Sequence, residues 1–209
     1  MAKIVVIGGG GHAKVLISLL KKLGWEILGY TDEQDRGFIL GIPYLGHDSV
    51  LPGVFSTHQY CSAVIGLGKI DASSARTQLQ HEIRALGFDS PVVVSPRAVV
   101  NEEVDVGAGT AVFDGAVVNS GTVAGGHCIV NTNSTVEHDC RLGDNVHIAP
   151  GATVSGNVTI GDDCMIGAGA TIIQGVTVCP GCLIGAGSIL VADIDRPGLY
   201  VGNPARRLG

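Results

Sequence analysis

The chain has 209 residues, a formal net charge of −6, 32 glycines and 4% aromatic side chains. That length admits two small domains or one larger one. The acid is concentrated in residues 91–209, where five Lys and Arg stand against eleven Asp and Glu, so the sequence offers no basic surface for nucleic acid or an anionic membrane.

The first apolar run, Ile4 to Ile7, is far too short for a signal peptide or a membrane span, which makes a soluble, cytoplasmic protein the expectation. Lys3 to Ile7 reads as a buried strand, followed by Gly8-Gly9-Gly10-Gly11-His12-Ala13 and an amphipathic helix from about Ala13 to Leu23. Ile27 to Tyr30 reads as a second strand, ending at Thr31-Asp32-Glu33. Gly8, Gly10 and Ala13 fit G-x-G-x-x-G/A, and Asp32 lies at about the spacing of the acidic residue that follows the second strand. Glycines there let a phosphate approach the backbone at a helix N-terminus; the alternative is a tight turn that only packs helix on sheet. A third strand, Cys61 to Ile65, ends at Gly66-Leu67-Gly68, and a helix from about Ala72 to Leu86 precedes Val92 to Val94. Residues 1–92 thus read as a small Rossmann-like β-α-β-α-β domain, too small to hold NAD fully and suited to a nucleotide or nucleotide-sugar.

Two prolines between Ser90 and Pro96 mark a change of pattern. From Val100 to Leu190 every sixth residue is aliphatic, sixteen positions in register with Ala124 as the one weak member. A small or medium residue stands two before each, as at Ser134, Cys140 and Ala152. A period of six belongs to neither helix nor ordinary strand; it marks a parallel β-helix, three steps to a triangular coil, with the aliphatics stacked inside. Residues 93–192 form this second, all-β domain, and 193–209 a tail whose Pro197, Gly198 and Gly202-Asn203-Pro204-Ala205 suggest turns. Arg206 and Arg207 at its end are either a phosphate contact or solvated ends. Of the six cysteines, Cys128, Cys140, Cys164 and Cys182 share the inward small-residue position and read as core packing; Cys179 and Cys61 show no partner that suggests a redox pair.

Reactive polar groups stand out against such a scaffold. Asn131, Glu137, His138, Asp139 and His147 fall within two coils. His138 beside Asp139 offers an imidazole with a carboxylate near enough to orient it or raise its basicity; the alternative is an inert surface histidine. His127, His138 and His147 are eleven and nine apart and fall in different phases of the repeat, which argues against the three zinc histidines of a γ-type carbonic anhydrase.

As a set, Gly8-Gly9-Gly10-Gly11-His12, Asn131-Thr132, Val136-Glu137-His138-Asp139-Cys140, His147-Ile148, Gly156-Asn157-Val158 and Val201-Gly202-Asn203-Pro204-Ala205-Arg206 resemble the PglD/NeuD-type sugar acetyltransferases, over essentially the whole chain. The resemblance implies a left-handed β-helix, a homotrimer, acetyl-CoA as co-substrate, no metal, and a nucleotide-linked amino sugar as acceptor. It implies that His138 is the general base or amine-positioning group, with Asp139 on its imidazole. Gly156 would give an N–H to the thioester carbonyl, and His147, Ala168 and Ala186 would line the CoA arm. Gly10, Gly11, His12, Asp32 and Gly66 match the nucleotide-sugar end of the site, and Asn131 is placed with the substrate-binding residues. The expected reaction is N-acetylation of a UDP- or GDP-linked 4-amino-4,6-dideoxy sugar by direct attack, without an acyl-enzyme. The rival readings are a sialic acid O-acetyltransferase and a non-catalytic nucleotide-binding module.

Overall fold

The computed structural model describes residues 2–58, 60–69 and 75–208. The chain divides into two units. The first comprises Met1–Gly68 and Ser73–Val93; the second comprises Lys69–Ala72 and Val94–Gly209, so the tail groups with the β-helix.

In the first unit, β1 (Lys3–Ile7), α1 (Gly11–Lys22), β2 (Glu26–Thr31), β3 (Tyr44–Gly46), α2 (Leu51–Thr57), β4 (Ser62–Ile65) and α3 (Ala75–Ala85) follow in order. The expected start of the last helix, 72–74, lies outside the described residues. The sheet order is β3-β2-β1-β4, all parallel. The continuous apolar run of β1 is what a strand covered on both faces requires, and Ile4 to Ile7 are fully buried. The sequence reading did not anticipate β3 or α2. Strand β3 has three residues and α2 begins Leu51-Pro52-Gly53, too short and too irregular to show a period.

The second unit is a left-handed parallel β-helix. Short strands pair in parallel with those eighteen residues on, as Val123 pairs with Arg141 and Thr135 with Thr153, and three sheets make the faces of a triangular prism. Of the sixteen aliphatics in register, the fourteen from Val112 to Leu190 are buried; Val100 and Val106 are only half-buried, near the start of the stack. Cys128, Cys140, Cys164 and Cys182 are fully buried among them, at the position also taken by Ser134, Ala152 and Ala170. Three residues after each aliphatic from Val100 to Ile184 the backbone turns through the left-handed region, with Asp139, Asn145, Asn157 and Asp163 at φ of 55–58° and glycine at many of the others. Asn and Asp tolerate this conformation better than other side-chain-bearing residues, which is why these types and glycine fill all such corners but Glu103 and His127.

The tail is more ordered than its turn residues suggest. Gly198–Gly202 pairs in parallel with Cys182–Ile184, and Ala205–Arg207 returns antiparallel to it, extending one face by two strands. Arg207 Nε donates to the Pro197 carbonyl at 3.2 Å and an Arg206 guanidinium N–H to the Ala205 carbonyl at 3.0 Å.

Candidate active site

One face of the β-helix is built from strands 117–118, 135–136, 153–154 and 171–172, with Thr135, Thr153 and Thr171 in register along it. Most of the sequence-derived residues of the second unit lie along its two edges, while His147 belongs to strand 147–148 of the neighbouring face. At one edge His138 and Gly156 occupy equivalent positions one coil apart. At the other lie Asn131 and, farther along, the exposed Ala168 and Ala186, again one coil apart, with the Ala168 carbonyl accepting the Gly187 N–H at 2.9 Å.

His138 Nδ1 lies 2.8 Å from Asp139 Oδ2, both side chains more than half exposed. The contact follows from the corner geometry. Asp139 is the left-handed residue, φ 58°, and that turn sets its carboxylate beside the preceding imidazole. An ionised carboxylate only accepts, so the bond assigns a proton to Nδ1, and in the neutral imidazole the lone pair is then on Nε2. Glycines in the coils on either side make room. A Cβ at position 156 would lie 2.5 Å from His138 Nε2, and one at position 121 would lie 2.6 Å from Asp139 Oδ1. The Gly156 N–H takes no part in the inter-coil hydrogen bonds formed among the described residues, while its carbonyl accepts the Gly175 N–H at 3.0 Å. Glu137 belongs to a second polar ladder, in which Asn101 Nδ2 donates to Asn119 Oδ1 at 2.6 Å and Asn119 Nδ2 to Glu137 Oε2 at 2.9 Å.

His147 is in a different situation. It is 7% exposed. Its Nδ1 lies 2.7 Å from the Lys69 carbonyl and its Nε2 3.1 Å from Asn131 Nδ2. The Asn131 Oδ1 accepts the Thr132 N–H at 2.8 Å, so its amide nitrogen faces the imidazole. A carbonyl only accepts, so Nδ1 donates and Nε2 accepts: His147 is held as one neutral tautomer with both ring nitrogens used. Lys69 itself is 3% exposed and its Nζ stands 3.7 Å from Asp163 Oδ1, which also accepts from Asn145 Nδ2 at 2.7 Å. Sequence reasoning missed Lys69, since nothing local links a residue to a histidine 78 positions away.

In the first unit, the Gly8–Gly11 turn separates two clefts. One is lined by Gly9, Gly10, Gly11, Lys14, Arg36 and Phe38 among others. The other, of about 330 Å³, is lined by Gly8, Asp32, Glu33, Asp48, Leu67 and Glu82 with part of α3. Gly10 and Gly11 have open space where a side chain would stand, whereas a Cβ on Gly66 would meet Ala13 at 2.8 Å and Val6 at 2.9 Å. Gly66 therefore permits the close approach of α1 to the strand ends. His12 sits in the first turn of α1, partly exposed. Asp32 ties the end of β2 to the turn: Oδ2 accepts the Gly9 N–H at 2.7 Å and Oδ1 the Gln34 N–H at 2.9 Å, with Arg36 Nε 3.4 Å away. Desolvation raises its pKa, but these two N–H donors and the guanidinium outweigh it, and the carboxyl is held below its ordinary value. Lys14 and Arg36 add the positive charge that the glycine motif alone did not reveal.

A β-helix with a carboxylate-oriented histidine on one edge, in a chain that begins with a small parallel α/β unit carrying a glycine-rich turn, defines a hexapeptide-repeat acyltransferase. The comparisons agree. Residues 3–83 match the PglD N-terminal domain, 121–156 the bacterial transferase hexapeptide and 157–192 the hexapeptide repeat of succinyl-transferase. The chain is 38% identical to the acetyltransferase domain of PglB from Neisseria gonorrhoeae FA1090, covering 100% of both chains with a TM-score of 0.92. It is 34% identical to PerB from Caulobacter crescentus, solved with CoA and GDP-perosamine, covering 100% of this chain and 98% of that one with a TM-score of 0.93. WeeI from Acinetobacter baumannii AYE is 26% identical over 100% of both chains, TM-score 0.89. Among curated sequences no match is found. The chain belongs to the PglD-type sugar N-acetyltransferases, the acetyl-CoA-dependent branch of the hexapeptide family that acts on nucleotide-linked amino sugars. Among the described residues no three His, Cys, Asp or Glu side chains gather as a metal site, and no helix is long and apolar enough to cross a membrane.

Proposed function

We propose that this enzyme moves the acetyl group of acetyl-CoA to the 4-amino group of a UDP- or GDP-linked 4-amino-4,6-dideoxy sugar destined for a surface glycan, working as a homotrimer in the cytoplasm. The observation that carries the reading is the His138–Asp139 pair, on a chain similar over its full length to an enzyme solved with CoA and GDP-perosamine. The nucleotide end engages Gly10, Gly11, His12 and Asp32, with Gly66 keeping that turn closed on α1. The pantetheine arm runs along the edge of Ala168 and Ala186, with Asn131 and His147 anchoring the face beside it.

The neutral amine attacks the thioester carbonyl carbon. Charge moves onto the carbonyl oxygen, where the Gly156 N–H is placed to meet it. His138 Nε2 takes the proton that the amine nitrogen sheds, and Asp139 stabilises the resulting imidazolium. Collapse of the tetrahedral species expels CoA as thiolate and leaves the amide. No acyl-enzyme is needed, since the sulfur nearest in sequence, Cys140, is buried in the core with its thiol directed to the Ser155 carbonyl at 3.2 Å. Holding both substrates at one histidine supplies much of the acceleration by proximity.

The test is product analysis. The enzyme is offered acetyl-CoA with UDP-linked and GDP-linked 4-amino-4,6-dideoxy sugars and with sialic acid. An acetamide on the nucleotide-linked sugar supports the reading and identifies the nucleotide. Acetylation of sialic acid alone would replace it with O-acetyl transfer.

A further inference from the structure

The four residues Cys179-Pro180-Gly181-Cys182 span one corner of the last coils. Pro-Gly at the centre of a tight turn, with Gly181 at φ 72°, is the chemistry of a type II turn, which brings its first and fourth Cα atoms within about 7 Å. That falls in the span a disulfide requires, roughly 4.4–6.8 Å. The side chains use the opportunity: Cys179 Sγ lies 3.5 Å from Cys182 Sγ. Register alone concealed the pair, because Cys179 is out of phase with the inward positions and Cys182 is in phase, yet a turn reunites them.

We propose that Cys179 and Cys182 are a dithiol–disulfide pair, a covalent modification site that takes a low-molecular-weight disulfide as its oxidant. Cys179, half-buried, is the thiol a solute can reach, whereas Cys182 is fully buried. Burial, reinforced by the neighbouring Cys179, pushes the Cys182 thiol well above its ordinary value, so Cys182 is not the thiol that attacks first; its place 3.5 Å from Cys179 Sγ makes it the resolving partner. In the first step Cys179, as thiolate, attacks one sulfur of the oxidant and expels one small thiolate. In the second, Cys182 gives up its proton, attacks Cys179 Sγ and expels the other half. Two thiols and one small disulfide become one protein disulfide and two small thiols. The sulfurs must close by about 1.5 Å to reach bonding distance.

The other cysteines are occupied differently. Cys128 Sγ is directed to the Gly143 carbonyl at 3.1 Å, and Cys164 Sγ to the Cys179 carbonyl at 3.2 Å. The pair also sits where the tail joins the β-helix. Cys179 N–H donates to the Ile194 carbonyl at 3.0 Å, Cys182 pairs with Gly198, and Cys182 Sγ reaches the Arg196 carbonyl at 3.6 Å. Drawing that sulfur toward Cys179 removes its contact with the tail, so oxidation is felt at this junction.

The experiment treats the folded full-length chain with oxidised glutathione or, in parallel, coenzyme A disulfide. Remaining thiols are then alkylated after denaturation, and the intact mass and linked peptides are read. Four of the six thiols should be alkylated, with one link between positions 179 and 182. Cys182→Ser should stop at the mixed disulfide on Cys179, and Cys179→Ser should show no fast reaction. Serine already occupies the register of Cys182 at the buried positions Ser134 and Ser188, so Cys182→Ser preserves the fold, and the melting temperature of each variant is measured beside the reaction. Six alkylated thiols in the wild-type chain, a stable mixed disulfide there, or a link to Cys164 would overturn the assignment.

Discussion

The imidazole of His138 occupies the space that a side chain at position 156 would need, with Nε2 2.5 Å from where that Cβ would stand. Two residues of equivalent register, one coil apart, thereby form one unit: the glycine leaves room for the ring, and its N–H stays available beside it. The Gly156 backbone is outside the left-handed region, so alanine fits the backbone and only the ring must move. Gly156→Ala should lower kcat by tenfold or more, roughly the effect of an ångström-scale misplacement, with an unchanged melting temperature. An unchanged kcat would show that the ring's position is immaterial.

Asp139 can be tested without disturbing its corner, because Asn133, Asn145 and Asn157 already hold the same left-handed conformation. Asp139→Asn removes the carboxylate that orients the imidazole and stabilises its protonated form, so kcat should fall about tenfold or more while the KM for acetyl-CoA and the melting temperature hold. A kcat equal to that of the wild type would separate Asp139 from the chemistry.

Asn131 completes the hydrogen bonds of the buried His147. Asn131→Ala leaves Nε2 without that donor, at a cost of about 1–3 kcal/mol. Denaturant unfolding should show the loss. An equal stability would mean that another group satisfies the ring.

The Asp32 carboxyl has a depressed pKa in the folded chain, so its contribution to stability is present above the unfolded value near 3.9 and disappears as the pH falls through the folded value. The stability difference between the wild-type chain and Asp32→Asn should therefore be constant near neutrality and shrink in acid. A difference independent of pH down to pH 2 would contradict the direction of the shift.

Much of this architecture was legible before any coordinate. A repeat of six carries its own interior, because each step contributes one inward aliphatic and one small partner, from Val112 to Leu190. His138 and Asp139 were visible because the contact is between chain neighbours. The relationships hidden from the sequence are those made by stacking or by distant segments. Gly121 beneath Asp139 and the Asn119–Glu137 bond lie eighteen residues apart; the coil length was legible, but which side chains meet across it depends on how each corner turns. The Lys69 carbonyl on His147 has no such spacing to betray it. In the sequence Cys179 showed no partner for a redox pair, although the Pro-Gly turn beside it was the more informative signal. Strand β3 and helix α2 were too short to show a period of their own.

The central claim is acetyl transfer to a nucleotide-linked amine at His138. Its most direct test is the rate of CoA thiol release from acetyl-CoA with the matching nucleotide-linked 4-amino sugar, for the wild-type enzyme and His138→Ala side by side. The account predicts rapid release by the wild type and a fall of about 10²-fold or more in the variant, with the melting temperature unchanged. Equal turnover by the two proteins would remove His138 from the mechanism and contradict the account.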